Sequence, residues 1–321
     1  MNILVTSAAG RRVKVIQYFK NAFKNIGKVI AADCDHKAPA LYFADEYEII
    51  PRIDDQDYIQ KVISICKKQR INAVVSLLDP ELETLIRNKE KFVENNIQLI
   101  LSPADMIDIS FDKQKTYDEL INMDIPAVPT FSNREMFLKT IDSGKYNYPA
   151  IVKPGKGSAS LGLYEVNDET ELNNVFHENE GLIIQPYYRD KEFGIDVYID
   201  LISGELIDLF IKEKLLMRSG ETDKSISIHN AKIEELVIDL IDKTSFRGPI
   251  DIDCFEFAGE YYISEINPRF GGGYPHAYEL GCDFMKYIAE NLQGNINKNY
   301  SGMKYEKNQI MMKYDDVKII K

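Results

Sequence analysis

No apolar stretch in the 321 residues approaches the ~20 needed to cross a bilayer, no cysteines stand at C-x-x-C spacing, and basic residues do not outnumber acidic ones. The first absence sets a membrane span aside. Together with a Met-Asn-Ile-Leu-Val-Thr start that runs straight into a strand pattern, it leads to the expectation of a soluble, unprocessed, cytoplasmic chain. Cys34, Cys66, Cys254 and Cys282 are too scattered for a zinc site or a disulfide framework, so free thiols are expected. With 39 Lys and Arg against 51 Asp and Glu, the net charge is -12, and no cationic excess exists to neutralise a nucleic-acid backbone. A nucleotide needs only a few local cations and is not excluded. The Thr6-Ser7-Ala8-Ala9-Gly10-Arg11-Arg12 turn lacks the G-x-G-x-x-G spacing of a dinucleotide loop, which sets NAD aside. His229 and His276 stand alone without metal-ligand spacing and receive no catalytic role.

What is present is an ordinary globular composition, 45% apolar and 28% charged, in a chain long enough for two or three modules. The first hundred residues alternate strand and helix patterns in the order of repeated βα units. Strands are expected at Ile3–Val5, Val29–Ala32, Tyr47–Ile50, Ala73–Leu77 and Gln98–Leu101, with helices near Arg11–Asn25, Asp57–Gln69 and Pro80–Glu94. The architecture implied is a doubly wound parallel sheet, α/β in class. Ser102–Phe111 reads as a connector and Asp112–Met123 as a helix. From Pro149 the pattern becomes α+β. Strands are expected at Ala150–Lys153, Leu161–Val166, Leu182–Gln185, Phe193–Ile202, Leu206–Lys214, Ile250–Phe257 and Tyr261–Ile266, with helices near Glu169–Phe176, Lys232–Lys243 and Asp283–Leu292.

Three segments carry chemistry. In Ile151-Val152-Lys153-Pro154-Gly155-Lys156-Gly157-Ser158-Ala159-Ser160-Leu161-Gly162, a strand-end lysine precedes a loop of small residues. Such a loop sets an ammonium and backbone N–H groups against phosphate oxygens and closes as a lid. It is not a Walker A loop, and taken alone it suits a solvated hairpin tip equally well. In Asp251-Ile252-Asp253-Cys254-Phe255-Glu256 and Tyr262-Ile263-Ser264-Glu265-Ile266-Asn267-Pro268-Arg269, two strands joined at Ala258-Gly259-Glu260 would bring Asp253 and Glu265 side by side. Two carboxylates and the Asn267 amide are hard oxygen donors of the kind Mg²⁺ takes when it also binds phosphates. Arg269 beside them is suited to a transferring phosphoryl group. In Leu182-Ile183-Ile184-Gln185-Pro186-Tyr187-Tyr188, an apolar strand leads into a hinge that offers backbone groups to an adenine edge, and Glu192 follows as a ribose acceptor. A core strand and a solvated Glu explain that third segment better when it stands alone.

In order, these segments resemble the ATP-grasp superfamily, in particular the branch similar to the carbamoyl phosphate synthase large subunit. The resemblance spans about Ile3 to Ala289 and implies a pre-ATP-grasp α/β domain at 1–111, an ATP-grasp lid subdomain at 112–186 and a C-terminal subdomain with tail at 187–321. It implies that Lys113, Lys153 and the loop residues Gly155, Gly157, Ser158 and Ser160 meet ATP phosphates. Gln185, Tyr187 and Tyr188 would hold adenine, and Glu192 the ribose. Asp253, Glu265 and Asn267 would hold Mg²⁺, or Mn²⁺ in its place, while Arg269 steadies an acyl phosphate. Arg218, in Leu216-Met217-Arg218-Ser219-Gly220, matches a stretch that faces the carboxylate being phosphorylated. Asp253 departs from the Glu of many members. The implied activity is ligation of a small-molecule carboxylate to an amine or thiol through an acyl phosphate, with a homodimer as an allowed assembly. A kinase of carbamate or bicarbonate and a non-catalytic nucleotide-binding regulator are the alternatives. The first domain would bind the acceptor, through Ser7–Arg12, Asp33-Cys34-Asp35 or Asp79-Pro80-Glu81-Leu82-Glu83, unless those acids only cap helices.

Overall fold

The computed structural model describes residues 1–8, 12–157, 162–188 and 191–320. Its first sheet is parallel throughout: β1 (Asn2–Thr6), β2 (Val29–Asp33), β3 (Glu46–Ile49), β4 (Ile71–Ser76) and β5 (Gln98–Leu99), in the order β3-β2-β1-β4-β5. The helices α1 (Val13–Phe23), α2 (Tyr58–Gln69), α3 (Asp79–Arg87) and α4 (Lys89–Val93) connect the strands. β1 and β2 are almost wholly buried, which is why they read as unbroken apolar runs rather than alternating ones. The chain steps outward from β1 to β3 and returns on the other side of β1 with β4. The carboxyl ends of β1 and β4 therefore flank the topological switch point, where open α/β sheets leave a crevice.

Two sequence expectations change here. The single helix expected over Pro80–Glu94 is split, because Asn88 leaves helical geometry (φ -109°, ψ 15°) and turns its amide back to the Thr84 carbonyl. The expected connector is mostly a helix, α5 (Ala104–Phe111), whose Met106 and Ile107 are buried. Next comes α6 (Lys113–Asn122), capped by the Asp112 carboxylate, which accepts from the N–H groups of Gln114 and Lys115.

A small antiparallel sheet follows: β6 (Ala150–Pro154), β7 (Tyr164–Val166) and β8 (Leu182–Pro186), ordered β7-β6-β8. It packs with α7 (Arg134–Asp142) and α8 (Glu169–Val175) around a core of its own formed by Phe137, Val152, Leu172 and Ile184. The apolar pattern does not foresee α7, since Phe137 is its one buried residue.

The large sheet is antiparallel, ordered β13-β12-β9-β10-β11-β14. Its strands are β9 (Glu192–Ile199), β10 (Leu206–Arg218), β11 (Glu221–Ile228), β12 (Gly248–Phe257), β13 (Glu260–Asn267) and β14 (Ile310–Met312). The pattern misses β11 because Thr222, Ser225 and Ser227 fill its buried positions. It also misses the turn of helix α10 (Tyr274–Glu279), and it places the end of β10 too early. One face of this sheet packs Ile195, Leu209 and Ile252 against α9 (Ala231–Lys243), through Ile233, Val237 and Leu240. At one end of the sheet, α10 and α11 (Phe284–Leu292) share a core with α1, in which Phe19, Phe270, Tyr274, Phe284 and Ile288 meet. Tyr18 stacks on Tyr278 at 3.6 Å between ring centroids, and its hydroxyl donates to Glu279 at 2.7 Å. Burying each such aromatic contributes ~1.5–3 kcal/mol, so α1 holds the switch point of the first sheet firmly against the large one.

Candidate active site

Alternation builds the site. In β12, Ile250, Ile252 and Cys254 enter the core, while Asp251 and Asp253 take the opposite face. In β9, Phe193, Ile195 and Val197 do the same and leave Glu192, Gly194 and Asp196 on the other side. Strand register then places Asp251 beside Asp196, and Asp253 between Glu265 on β13 and Gly194 on β9. The β12–β13 connection is the two-residue turn Ala258-Gly259, both with positive φ (53° and 79°), a geometry matched to strand twist. A β-bulge between Asp253 and Cys254 then shifts the register by one, and this sets Asp253 and Glu265 side by side.

The sequence does not disclose the lysines that meet these acids. Lys212 and Lys214 occupy alternate positions of β10. Lys212 is opposite Gly194, and its ammonium binds Asp196 in a fully buried pair. Lys214 reaches both Glu192 (2.7 Å) and Asp253 (2.6 Å). Gly194 makes this possible: a Cβ there would lie 3.1 Å from Lys212 Cε and 3.2 Å from Lys214 Cε. Burial alone would weaken the charge of Lys214, but Asp253 and Glu192 hold it protonated well above the usual lysine range.

The opposite wall comes from α6 and β6. The N–H of Lys113 donates to Gly155 O at 2.9 Å, and its ammonium to Gly157 O at 2.7 Å, so the start of α6 anchors the loop after β6. The same ammonium lies 3.9 Å from Glu265. Lys153 faces the same cavity, and among the described residues its ammonium has no hydrogen bond or ion pair. Burial lowers its pKa against the pull of Glu265. Ser158 and Ser160, like Ala9–Arg11, lie outside the described residues.

Between these walls is a cavity of about 640 Å³, lined among others by Arg12, Lys113, Lys153, Lys214, Glu265 and Arg269. Burial raises the Glu265 pKa against the influence of Lys113. Among the described residues, neither the Glu265 carboxylate nor the Asn267 amide makes a hydrogen bond, and no point gathers three or more His, Cys, Asp or Glu. Two carboxylates and an amide, with oxygen lone pairs unused, fit a hard divalent cation.

Arg269 donates to Asp79 at 2.8 Å and to Phe270 O at 3.1 Å, with Asp251 at 3.7 Å. Asp79 belongs to the first sheet's switch point, so the acidic motif there clamps Arg269 across the two sheets. Glu81 instead is buried, accepting from Tyr58 and from Ser76 at 2.6 Å. The glycines after Arg269 keep this region close-packed: a Cβ on Gly272 would lie 2.9 Å from Glu221 Cγ, and one on Gly273 2.5 Å from Lys212 Cε.

Other residues singled out from the sequence lie elsewhere. Arg218 does not line the cavity; register shifts after Lys214 break the alternation that turns Lys212 and Lys214 inward, so Met217 and Ser219 face the cavity and Arg218 meets Asp223 (2.8 Å) and Asp315 (3.2 Å). The Gln185 amide is buried and donates to Thr130 at 2.8 Å. Tyr188 is buried against Phe257 (4.6 Å) and Tyr262, and Tyr187 is exposed. His276 is buried, its Nδ1 2.8 Å from Ser225 Oγ.

The ATP-grasp domain model matches residues 110–273, about half of the chain, and the PylC-like N-terminal domain model matches residues 3–100. The carbamoyl phosphate synthase large chain of Clostridium botulinum (strain Loch Maree / Type A3) is 26% identical over 236 residues, covering 68% of this chain and 21% of that protein. The chain thus spans about a fifth of that relative's length. In fold it is similar to the N5-carboxyaminoimidazole synthetase of Staphylococcus aureus (TM-score 0.72, 19% identity, 93% of this chain and 78% of that one). It is also similar to the biotin carboxylase domain of Hydrogenobacter thermophilus 2-oxoglutarate carboxylase, solved with MgADP, ADP and bicarbonate (TM-score 0.75, 17% identity, 96% and 73%). No helix among the described residues is long and apolar enough to cross a membrane.

Proposed function

The chain belongs to the ATP-grasp domain family, and on that premise we propose that it is an ATP- and Mg²⁺-dependent ligase joining a small carboxylic acid to an amine or thiol through an acyl phosphate. The observation that carries this reading is the division of the cavity. Lys113 and Lys153, the latter without a partner among the described residues, stand on one wall, and the oxygen donors of Asp253, Glu265 and Asn267 on the other. A nucleotide triphosphate needs cations along its oxygens and a metal shared with carboxylates.

In this reading Lys113, Lys153, Gly155 and Gly157 grip the phosphates, and Glu192 with the segment from Gln185 to Tyr188 holds the nucleoside. Asp253, Glu265 and Asn267 would hold Mg²⁺ or Mn²⁺, which when bound supplies charge neutralisation for the phosphoryl group. A carboxylate oxygen attacks the γ-phosphorus, the bond to the β–γ bridging oxygen breaks, and ADP leaves. Arg269, oriented by Asp79, offers its donors to the acyl phosphate. The amine nitrogen then attacks the acyl carbon, loses a proton to solvent and displaces phosphate. Residues 1–111 would serve the acid and acceptor, 112–186 would cover the nucleotide, and 187–321 would carry the metal ligands. The test is ADP release from ATP and Mg²⁺ with a panel of amino acids, other organic acids and bicarbonate. Release that needs an organic acid and an amine supports the ligase. Release with bicarbonate alone favours a carbamate or bicarbonate kinase, and no release with any of them removes the catalytic reading.

A further inference from the structure

We infer that Arg12 is a specificity residue, the group by which the first sheet binds the carboxylate of the acid substrate; the inference rests on the ligase reading and names a contact within it. Arg12 follows β1 at the switch point and immediately precedes α1. Its side chain is 13% exposed and lines the large cavity. A guanidinium carries five N–H donors. Among the described residues this one makes no hydrogen bond, and its one ion pair, to Glu221, is long at 3.5 Å. Charge-assisted bonds of that kind usually close to ~2.7–2.9 Å. Glu221 is shared, since Lys313 approaches it more closely, at 3.1 Å.

The surroundings work against a bare cation here. Burial lowers the Arg12 pKa, and the neighbouring Arg269 guanidinium repels it, against the pull of Glu221, Asp251 and Asp79. A desolvated fork with unused donors, beside a second guanidinium whose Nε is also buried and has no partner among the described residues, calls for a planar oxyanion. Nucleotide phosphates have their own cations in Lys113 and Lys153 on the α6 and β6 wall. Arg12 approaches from the first sheet, beside Arg269 and the bare backbone of Gly272. That position suits the carboxylate about to be phosphorylated.

The test uses the full chain and the variants Arg12→Met, which keeps the stem, and Arg12→Lys, which keeps the charge but not the fork. Each is titrated calorimetrically with MgADP and then, saturated with MgADP, with acetate and with succinate. Each is also assayed for ATP-dependent phosphate release with the acid that the unaltered protein uses. MgADP affinity should stay within about twofold, which also reports folding, while the acid KM of Arg12→Met rises about tenfold to hundredfold, as loss of a charge-assisted fork predicts. The kcat should change far less, with Arg12→Lys intermediate. An unchanged acid KM in Arg12→Met overturns the inference and leaves the ligase reading standing. A loss of MgADP affinity as large as the loss for the acid also overturns it, by placing Arg12 in the nucleotide site. If the unaltered protein turns over no acid, yet binds acetate or succinate and Arg12→Met does not, the ligase reading falls and the carboxylate contact stands. If neither acid binds and none turns over, both fall.

Discussion

Lys153→Met should move nucleotide affinity and ligand-free stability in opposite directions. The Lys153 ammonium faces the cavity without a partner among the described residues, and burial lowers its pKa. A group whose folded pKa lies below its unfolded value is penalised, in the folded state, at every pH where it is charged. At pH 7, below the ordinary lysine range, folding carries that penalty, so removing the charge should stabilise the ligand-free protein. A gain of about 1 kcal/mol would raise the melting temperature by ~2–4 °C. Against phosphate oxygens the same ammonium makes charge-assisted hydrogen bonds worth roughly 1.5–3 kcal/mol, so its loss should weaken MgATP binding about tenfold to hundredfold. The chain has no tryptophan, so titration and scanning calorimetry are the suitable assays. Unchanged affinity would mean that Lys153 does not meet the phosphates, and a lower melting temperature would mean that the side chain has a structural role.

Glu265→Gln should keep the fold and much of the nucleotide affinity while losing most phosphoryl transfer; wild-type ADP release from this variant removes Glu265 from the metal set. Asp79→Ala leaves Arg269 without its nearest counter-charge in a pair only about a tenth exposed, and breaking such a pair costs roughly 3–5 kcal/mol. A pronounced drop in thermal stability is the expected readout, with Asp79→Asn milder and selectively impaired in turnover rather than in MgADP binding. Burial first, then Asp253 and Asp196, push the Asp251 pKa from 3.8 up to about 7. Below about pH 4 both folded and unfolded states hold the proton and the group is neutral to stability. Between pH 4 and 7 the unfolded chain releases it first, so stability is lost with rising pH. Asp251→Asn should therefore melt higher than wild type at pH 7.5, with an advantage that fades toward pH 4. An advantage independent of pH would show that ionisation of Asp251 is not its origin.

The carboxylate pair is legible in part. Alternation fixes the face of Asp253, but counted from the Ala258-Gly259 turn its partner would be Ser264; a β-bulge between Asp253 and Cys254 brings Glu265 opposite instead and turns it to the cavity while Ile263 and Ile266 enter the core. Lys212 and Lys214 are not legible in the same way. Nothing between Leu206 and Arg218 announces a partner, and only the strand order β12-β9-β10 brings that segment beside Asp253. The glycine that lets the lysines cross, Gly194, looks from sequence like one residue in a strand. Arg218 shows the converse: its surrounding string marks the right strand, but β10 extends through it, and the register shifts after Lys214 reset the alternation and turn the side chain away. In the first sheet, the parallel strands follow from the βα pattern, whereas their order, β3-β2-β1-β4-β5, does not. The switch-point roles of Arg12 and Asp79 depend on contacts with Glu221 and Arg269, some two hundred residues later in the chain.

The charged face of the large sheet supplies its own counter-ions before any ligand enters. Lys212 neutralises Asp196 beneath the cavity, Lys214 serves Glu192 and Asp253 together, and Lys113 approaches Glu265. Burying the carboxylates without these lysines would be prohibitive, and so the lysines already supply part of the positive charge that a bound metal would bring. Asp253 is the consequence to weigh. Its Oδ1 accepts from Lys214 at 2.6 Å, so in the proposed reading Asp253 would share its carboxylate between that lysine and the cation that Glu265 and Asn267 would hold. A longer Glu at 253 would carry its carboxylate beyond the position Lys214 reaches over Gly194. The shorter side chain and the lysine therefore form one arrangement, and a change at either alters the counter-charge of the other.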